Sequence, residues 1–158
     1  MKEALKLARE LMNRNGLGHL PLEVSRTKQA LGDCWFQRNR LTGEVTPTRI
    51  RLSSHWMPKI SDAEVRDTIL HEIAHALTPG ARHGPAWKAM CRRIGANPNR
   101  TADLPPETVM VVRKATSNYR AVCTKCDNVH YFSRYTKNWR LGRYKCGKCK
   151  SDFKVFSQ

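Results

Sequence analysis

The chain has 158 residues, enough for one domain or for one small domain plus a module. It carries 29 Lys/Arg against 13 Asp/Glu, a formal net charge of +16, which points to a polyanionic partner, most simply nucleic acid. No apolar run approaches the length of a membrane span and the N-terminus lacks the apolar core of a signal peptide, so a soluble protein with no membrane partner is expected. An intracellular protein is expected, cytoplasmic or at the nucleoid in a bacterium or phage and nuclear in a eukaryote.

Lys2 to about Asn13 reads as an amphipathic helix, with Leu5, Ala8, Leu11 and Met12 on its apolar face and Asn15-Gly16 as its stop. Residues 20–54 switch to strand signals. Leu22 and Val24 alternate with polar residues, and Lys28 to Gln37 holds Ala30, Leu31, Cys34, Trp35 and Phe36. Asn39 to Gly43 reads as a turn, and Thr48 to Ser53 alternates with Ile50 and Leu52 on one face. These segments predict a small antiparallel sheet packed against the flanking helices. Cys34 has no partner near it in sequence and reads as a buried thiol. His55, just past the last strand, reads as a structural or surface residue, although it could face a cleft.

Ser61-Asp62-Ala63-Glu64 fits a capping box, and helical periodicity then runs to Leu77. Val65, Ile69, Leu70, Ile73, Ala74 and Leu77 fill one half of the helical wheel; His71, Glu72 and His75 fall in the other. The motif His71-Glu72-Ile73-Ala74-His75 places two imidazoles one turn apart on one face, within reach of a single metal ion. The glutamate between them points beside that ion, where it can take a proton from water. Thr78-Pro79-Gly80 breaks the helix. A catalytic zinc site takes three protein ligands and keeps a fourth position open, and His83 is the best third candidate. Pro85 suits the first turn of a second helix, on which Trp87, Met90, Cys91 and Ile94 recur on one face before Gly95 ends it.

This helix motif followed by His83-Gly84-Pro85-Ala86-Trp87 resembles the SprT-like metalloprotease domain, to which the Spartan proteases belong. The resemblance implies His71, His75 and His83 as ligands of a catalytic zinc and Glu72 as the catalytic base. It differs from the metzincin pattern in its later third histidine and lack of a Met-turn. Family members place an N-terminal helix and a short sheet ending in Ile/Leu-x-Leu-Ser before the active-site helix; Ile50-Arg51-Leu52-Ser53 stands there in this chain.

Asn97-Pro98-Asn99 and Leu104-Pro105-Pro106 form a loop-rich stretch that suggests a boundary. Residues 1–106 are expected to form the SprT-like domain, of α+β, zincin-like class, and residues 107–158 a basic zinc-ribbon module. Glu107 to Lys114 reads equally as strand or short helix. In the tail, Cys123-Thr124-Lys125-Cys126 and Cys146-Gly147-Lys148-Cys149 flank 19 residues, the spacing of a structural four-cysteine zinc site. Two zinc ions are therefore expected, one catalytic and one structural. His130 lies between the knuckles as a surface or packing residue, and Tyr119, Tyr144 and Phe153 read as strand positions of the ribbon.

Residues 113–158 hold 12 Lys/Arg and 2 Asp/Glu, most of the surplus charge. Arg134, Tyr135, Lys137, Trp139, Arg140 and Arg143 interleave cations with rings, a composition suited to phosphates and unpaired bases. The expected partners are DNA, single-stranded DNA included, and a DNA-bound protein substrate, with the chain itself a monomer. The spacing supports a zinc hydrolase beside a polyanion. The family resemblance implies a protease acting on DNA-associated or DNA-crosslinked proteins. The competing expectation is a non-enzymatic nucleic-acid-binding protein with two structural zincs; an intact Glu72 argues against it, because a structural site has no use for a base.

Overall fold

The structure, a computed structural model, describes residues 1–99 and 105–158. The chain divides into two units, Met1–Leu104 and Pro105–Gln158. Helix α1 (Lys2–Arg14) opens the first and buries Ala4, Ala8, Leu11 and Met12. Three strands follow, β1 (Leu22–Ser25), β2 (Gly32–Arg38) and β3 (Val45–Ser53), in the spatial order β1-β3-β2. The sheet is mixed, which corrects the expected antiparallel arrangement: β2 pairs with β3 antiparallel, but β1 runs parallel to β3. Period-two patterning marks a strand without fixing its direction. Here the chain reverses between β1 and β2 and again between β2 and β3, and β3 lies between the other two, so β1 and β3 are parallel neighbours.

Ile50 and Leu52 of β3 are fully buried, and Arg49 and Arg51, which alternate with them, turn outward. Arg51 grips Asp33 with two hydrogen bonds, of 2.7 and 3.0 Å, and the Arg49 and Arg51 guanidiniums both lie over the Trp35 ring. Val24, read as the apolar side of an alternating strand, is half-exposed because β1 is an edge.

A 3-10 turn (Met57–Lys59) leads into α2 (Asp62–Leu77). The Ser61 hydroxyl accepts the Glu64 N–H at 3.3 Å, and the Glu64 carboxylate accepts the Ser61 N–H at 2.7 Å. That reciprocal cap contributes about 1 kcal/mol. The expected apolar half of the helix faces the core, but Thr68, Glu72 and Ala76 are buried as well, so α2 is covered on both sides. Its second cover is β2, whose Gly32 lies against the Glu72 side chain. A wheel equates polarity with exposure, and Glu72 breaks that equation.

Helix α3 (Pro85–Ile94) begins at a proline and ends at Gly95, whose φ of 78° gives the left-handed cap that a glycine adopts without strain. The Asn97 N–H beyond it donates to Asp67 on α2 at 2.7 Å, tying the two helices together. Trp87 and Cys91 join Ile69, Ile73, Ile50 and Leu52 in one core, where each fully buried Ile or Leu contributes about 1.5–3 kcal/mol over exposure.

The second unit starts with α4 (Pro106–Thr116), which resolves the strand-or-helix ambiguity in favour of a helix opened by proline at its first turn. Of the expected boundary Leu104-Pro105-Pro106, Leu104 lies outside the described residues. Strands β4 (Tyr119–Cys123), β5 (Val129–Phe132) and β6 (Phe153–Ser157) form an antiparallel sheet in the order β5-β4-β6, with a short helix α5 (Lys137–Arg140) between β5 and β6. Tyr119 and Phe153 are strand residues; Tyr144 is not, and lies in the loop before the second knuckle. No helix among the described residues is long and apolar enough to cross a membrane.

Candidate metal centres

His71 and His75 stand one turn apart on α2, and a chain reversal returns His83 to them. Thr78 closes α2 by donating its hydroxyl to the Ala74 carbonyl at 2.7 Å; two tight turns, Ala81 N–H to Thr78 O and Gly84 N–H to Ala81 O, then fold the chain back. A Cβ on Gly84 would sit 3.0 Å from the Ala81 carbonyl oxygen, a tight contact within that turn. The His83 Nε2 ends 3.1 Å from that of His75 and 3.3 Å from that of His71. Tetrahedral zinc–nitrogen bonds of about 2.0–2.1 Å put two donor nitrogens about 3.3–3.4 Å apart. The trio therefore has the spacing of a zinc triad.

Burial, then the neighbouring imidazoles, pushes His71 and His75 down to about 4, so both are neutral at pH 7 with lone pairs free for a cation. Beneath them lies the indole of Trp87, fully buried, with ring centroids 4.7, 5.2 and 4.7 Å from His71, His75 and His83. One rigid ring thus supports all three.

The histidines line a cavity of about 520 Å³ together with Glu72, Leu31, Gly32, Cys34, Phe36 and Trp56. Glu72 is only 6 % exposed. Burial, and next the charge of Asp33, pushes its carboxyl up to about 8, while the Cys34 backbone N–H donates to it and opposes that rise. A Cβ on Gly32 would meet the Glu72 Cγ at 3.0 Å and the Arg51 carbonyl oxygen at 3.1 Å, so glycine is what lets the carboxylate dock against β2. Gly32 was legible as a glycine within a strand, a mark of close approach; what approaches it was not. Cys34 is half-buried in the cavity wall rather than sealed in the core, and its thiol is pushed up to about 12, first by burial and then by Glu72 and Asp33. It is therefore a protonated wall residue. His55 does not line the cavity; its neighbour Trp56 does.

In the second unit the Sγ atoms of Cys123 and Cys149, Cys126 and Cys146, and Cys126 and Cys149 stand 3.4, 3.5 and 3.4 Å apart. These are far beyond a disulfide bond of about 2.05 Å and close to the spacing of about 3.8 Å set by tetrahedral zinc–sulfur bonds of about 2.3 Å. The residue after each knuckle, Asp127 and Lys150, takes a left-handed conformation with φ of 53° and 60°. Both turns reverse the chain over the sulfurs. The Ser151 backbone N–H and hydroxyl draw Cys149 down to about 6, favouring the thiolate that a metal needs. Both clusters can hold a zinc ion.

Of the six residues read as nucleic-acid contacts, Arg134, Tyr135, Lys137, Arg140 and Arg143 are exposed. Trp139 is half-buried: its ring stacks on Phe132 at 4.3 Å and 9° and touches Tyr144, Phe153 and His130. It is the hub of this unit's aromatic cluster; the exposed rings are Tyr135 and Tyr144, each 43 %, and Phe156, 42 %.

Neither a curated protein nor a solved structure matches the chain. A family model described as the SprT-like family matches residues 1–109, the stretch holding all three histidines and Glu72. The chain belongs to the SprT-like family, and its first unit is a metalloprotease-type domain.

Proposed function

We propose that the protein is a zinc-dependent endopeptidase acting on proteins associated with or crosslinked to DNA, to which its basic zinc ribbon brings it. The observation that carries this reading is the meeting of three imidazole Nε2 atoms on a cavity whose wall also holds a buried carboxylate. His71, His75 and His83 would hold the catalytic ion, and the four cysteines a structural one. A structural site uses four protein ligands; among the described residues the histidine group supplies three and opens on a cavity. A zinc ion there supplies a Lewis acid for a peptide carbonyl, brings the pKa of water to about 7, and by its charge draws the Glu72 carboxyl back toward ionisation.

The protein's own part falls to Glu72. Its carboxylate takes the proton of the attacking water and returns it to the departing amine. The Cys34 N–H and the bare backbone of Gly32 hold that carboxylate in one place, and the cavity wall limits the water around it. The exposed cations of the second unit meet DNA phosphates, with Tyr135 and Tyr144 open to stack on unpaired bases.

Metal analysis of wild type against His83→Ala tests the reading. Wild type should hold two zincs and cleave a basic DNA-bound protein. His83→Ala should hold one zinc and cleave nothing. A wild type that holds both zincs yet never cleaves, with or without DNA, is instead a metal-stapled nucleic-acid binder.

Gly32→Ala should leave both zincs bound while pushing Glu72 aside. A displacement of a few tenths of an ångström should lower kcat by less than the roughly 10²-fold that a misplacement of about 1 Å costs, with KM little changed. An unchanged kcat would remove Gly32 from the positioning of the base.

A further inference from the structure

The outward surface of α3 consists of cations and small residues. Trp87, Met90, Cys91 and Ile94 pack into the core, leaving Pro85, Ala86, Lys88, Ala89, Arg92 and Arg93 exposed. The helix has no acidic residue, and Lys88 and Arg92 form a like-charged i,i+4 pair, which weakens a helix. Arg82, exposed just before it, has a φ of 50°, a left-handed backbone that an arginine adopts only at a cost. The helix dipole favours Arg92 and Arg93 in the last turn but disfavours Arg82 and Lys88 toward the N-terminal end. No carboxylate pairs with any of the four among the described residues; the first unit's ion pairs use Arg14, Arg49 and Arg51 instead. Arg82 and Lys88 thus stand at an electrostatic cost, and Arg82 at a backbone one as well, that no carboxylate among the described residues offsets.

We propose that α3 and Arg82 form a second nucleic-acid-binding surface, on the unit that carries the histidine cluster, and that it grips the phosphate backbone. The proposal rests on the DNA reading above and adds a contact separate from the ribbon's. Lys88 and Arg92 lie about 6 Å apart along the helix axis, and the alanines beside them let a polyanion come close enough for their heads to reach it. Each phosphate neutralised releases counterions. No aromatic side chain is exposed on this helix, so the surface meets phosphates rather than stacking on unpaired bases. Arg82 directly precedes His83, which places bound nucleic acid beside the proposed cleavage site.

The test uses the zinc-loaded full chain, a labelled DNA duplex and a salt series. Replacing Arg82, Lys88, Arg92 and Arg93 together by Ala should reduce the slope of log K against log salt by roughly 2–4 and weaken low-salt binding by at least about tenfold. Lys88→Arg, Arg92→Lys and Arg93→Lys together, which keep the charge, should leave both unchanged. As a measurement free of folding effects, added duplex should protect Lys88 of the wild type from acetylation. An unchanged slope with Lys88 unprotected overturns the proposal, while the DNA reading stands if Arg134, Lys137, Arg140 and Arg143→Ala still flatten the slope. Loss of binding to polyglutamate but not to DNA overturns it in favour of an acidic protein partner. A wild type with no affinity for DNA at low salt overturns both.

Discussion

Glu72→Gln should reduce peptide cleavage by about 10²–10⁴-fold while both zincs stay bound and the thermal midpoint does not fall. The amide keeps the shape that packs on Gly32 and an oxygen for the Cys34 N–H, but it cannot accept a proton. The stability half follows from burial. The Glu72 carboxyl is pushed from 4.5 up to about 8 in the fold, so the folded metal-free protein binds more protons than the unfolded chain between those values, and Glu72 makes it less stable as pH rises through that window. The substitution removes this loss. His71 and His75, pushed down to about 4, act the other way: the stability they contribute is lost as pH falls from 6.5 toward about 4. Both proteins keep them, so with zinc removed the difference in the first unit's midpoint isolates Glu72, and it should widen in the variant's favour from pH 5 to pH 8. Cleavage undiminished in Glu72→Gln would take the residue out of the mechanism.

Zinc removal, or Cys146→Ser, should unfold the second unit. Its fully or nearly buried apolar side chains among the described residues are Val112, Ala121, Cys123 and Cys146, and two of these are the cysteines themselves. So small a core cannot offset the conformational entropy of ordering the segment. A structural zinc supplies about 10–16 kcal/mol of binding free energy to such units, comparable with or above a typical domain's whole stability of about 5–15 kcal/mol. Hydrogen exchange across 119–157 should rise to the unprotected rate on chelation, with DNA affinity falling in parallel. Protection that survives metal removal would show that the aromatic cluster around Trp139 suffices alone.

Much of the fold was legible because local rules settle it. The cap at Ser61, the break at Thr78, the proline that opens α3 and the glycine that closes it are each decided within a few residues by backbone geometry and hydrogen bonding. Three readings were not reachable that way. The parallel pairing of β1 with β3 depends on β3 inserting between β1 and β2 rather than adding beyond β2, and no strand pattern encodes it. The burial of Glu72 depends on β2, about 40 residues away in sequence. Trp139 has the composition of a base platform, but Phe132 occupies one of its faces.

By itself the sequence determined the donor chemistry: two imidazoles at i and i+4, a third after a short break, a carboxylate between, and two cysteine knuckles. Those are properties of residue type and spacing, which covalent geometry carries. Only the tertiary structure decided the environment of those donors. It set one indole under all three rings and a missing side chain at Gly32 beside the carboxylate, and among the described residues it left the cations of α3 without carboxylate partners. Burial, packing and unpaired charge are sums over neighbours distant in the chain, so they exist only once the chain has folded.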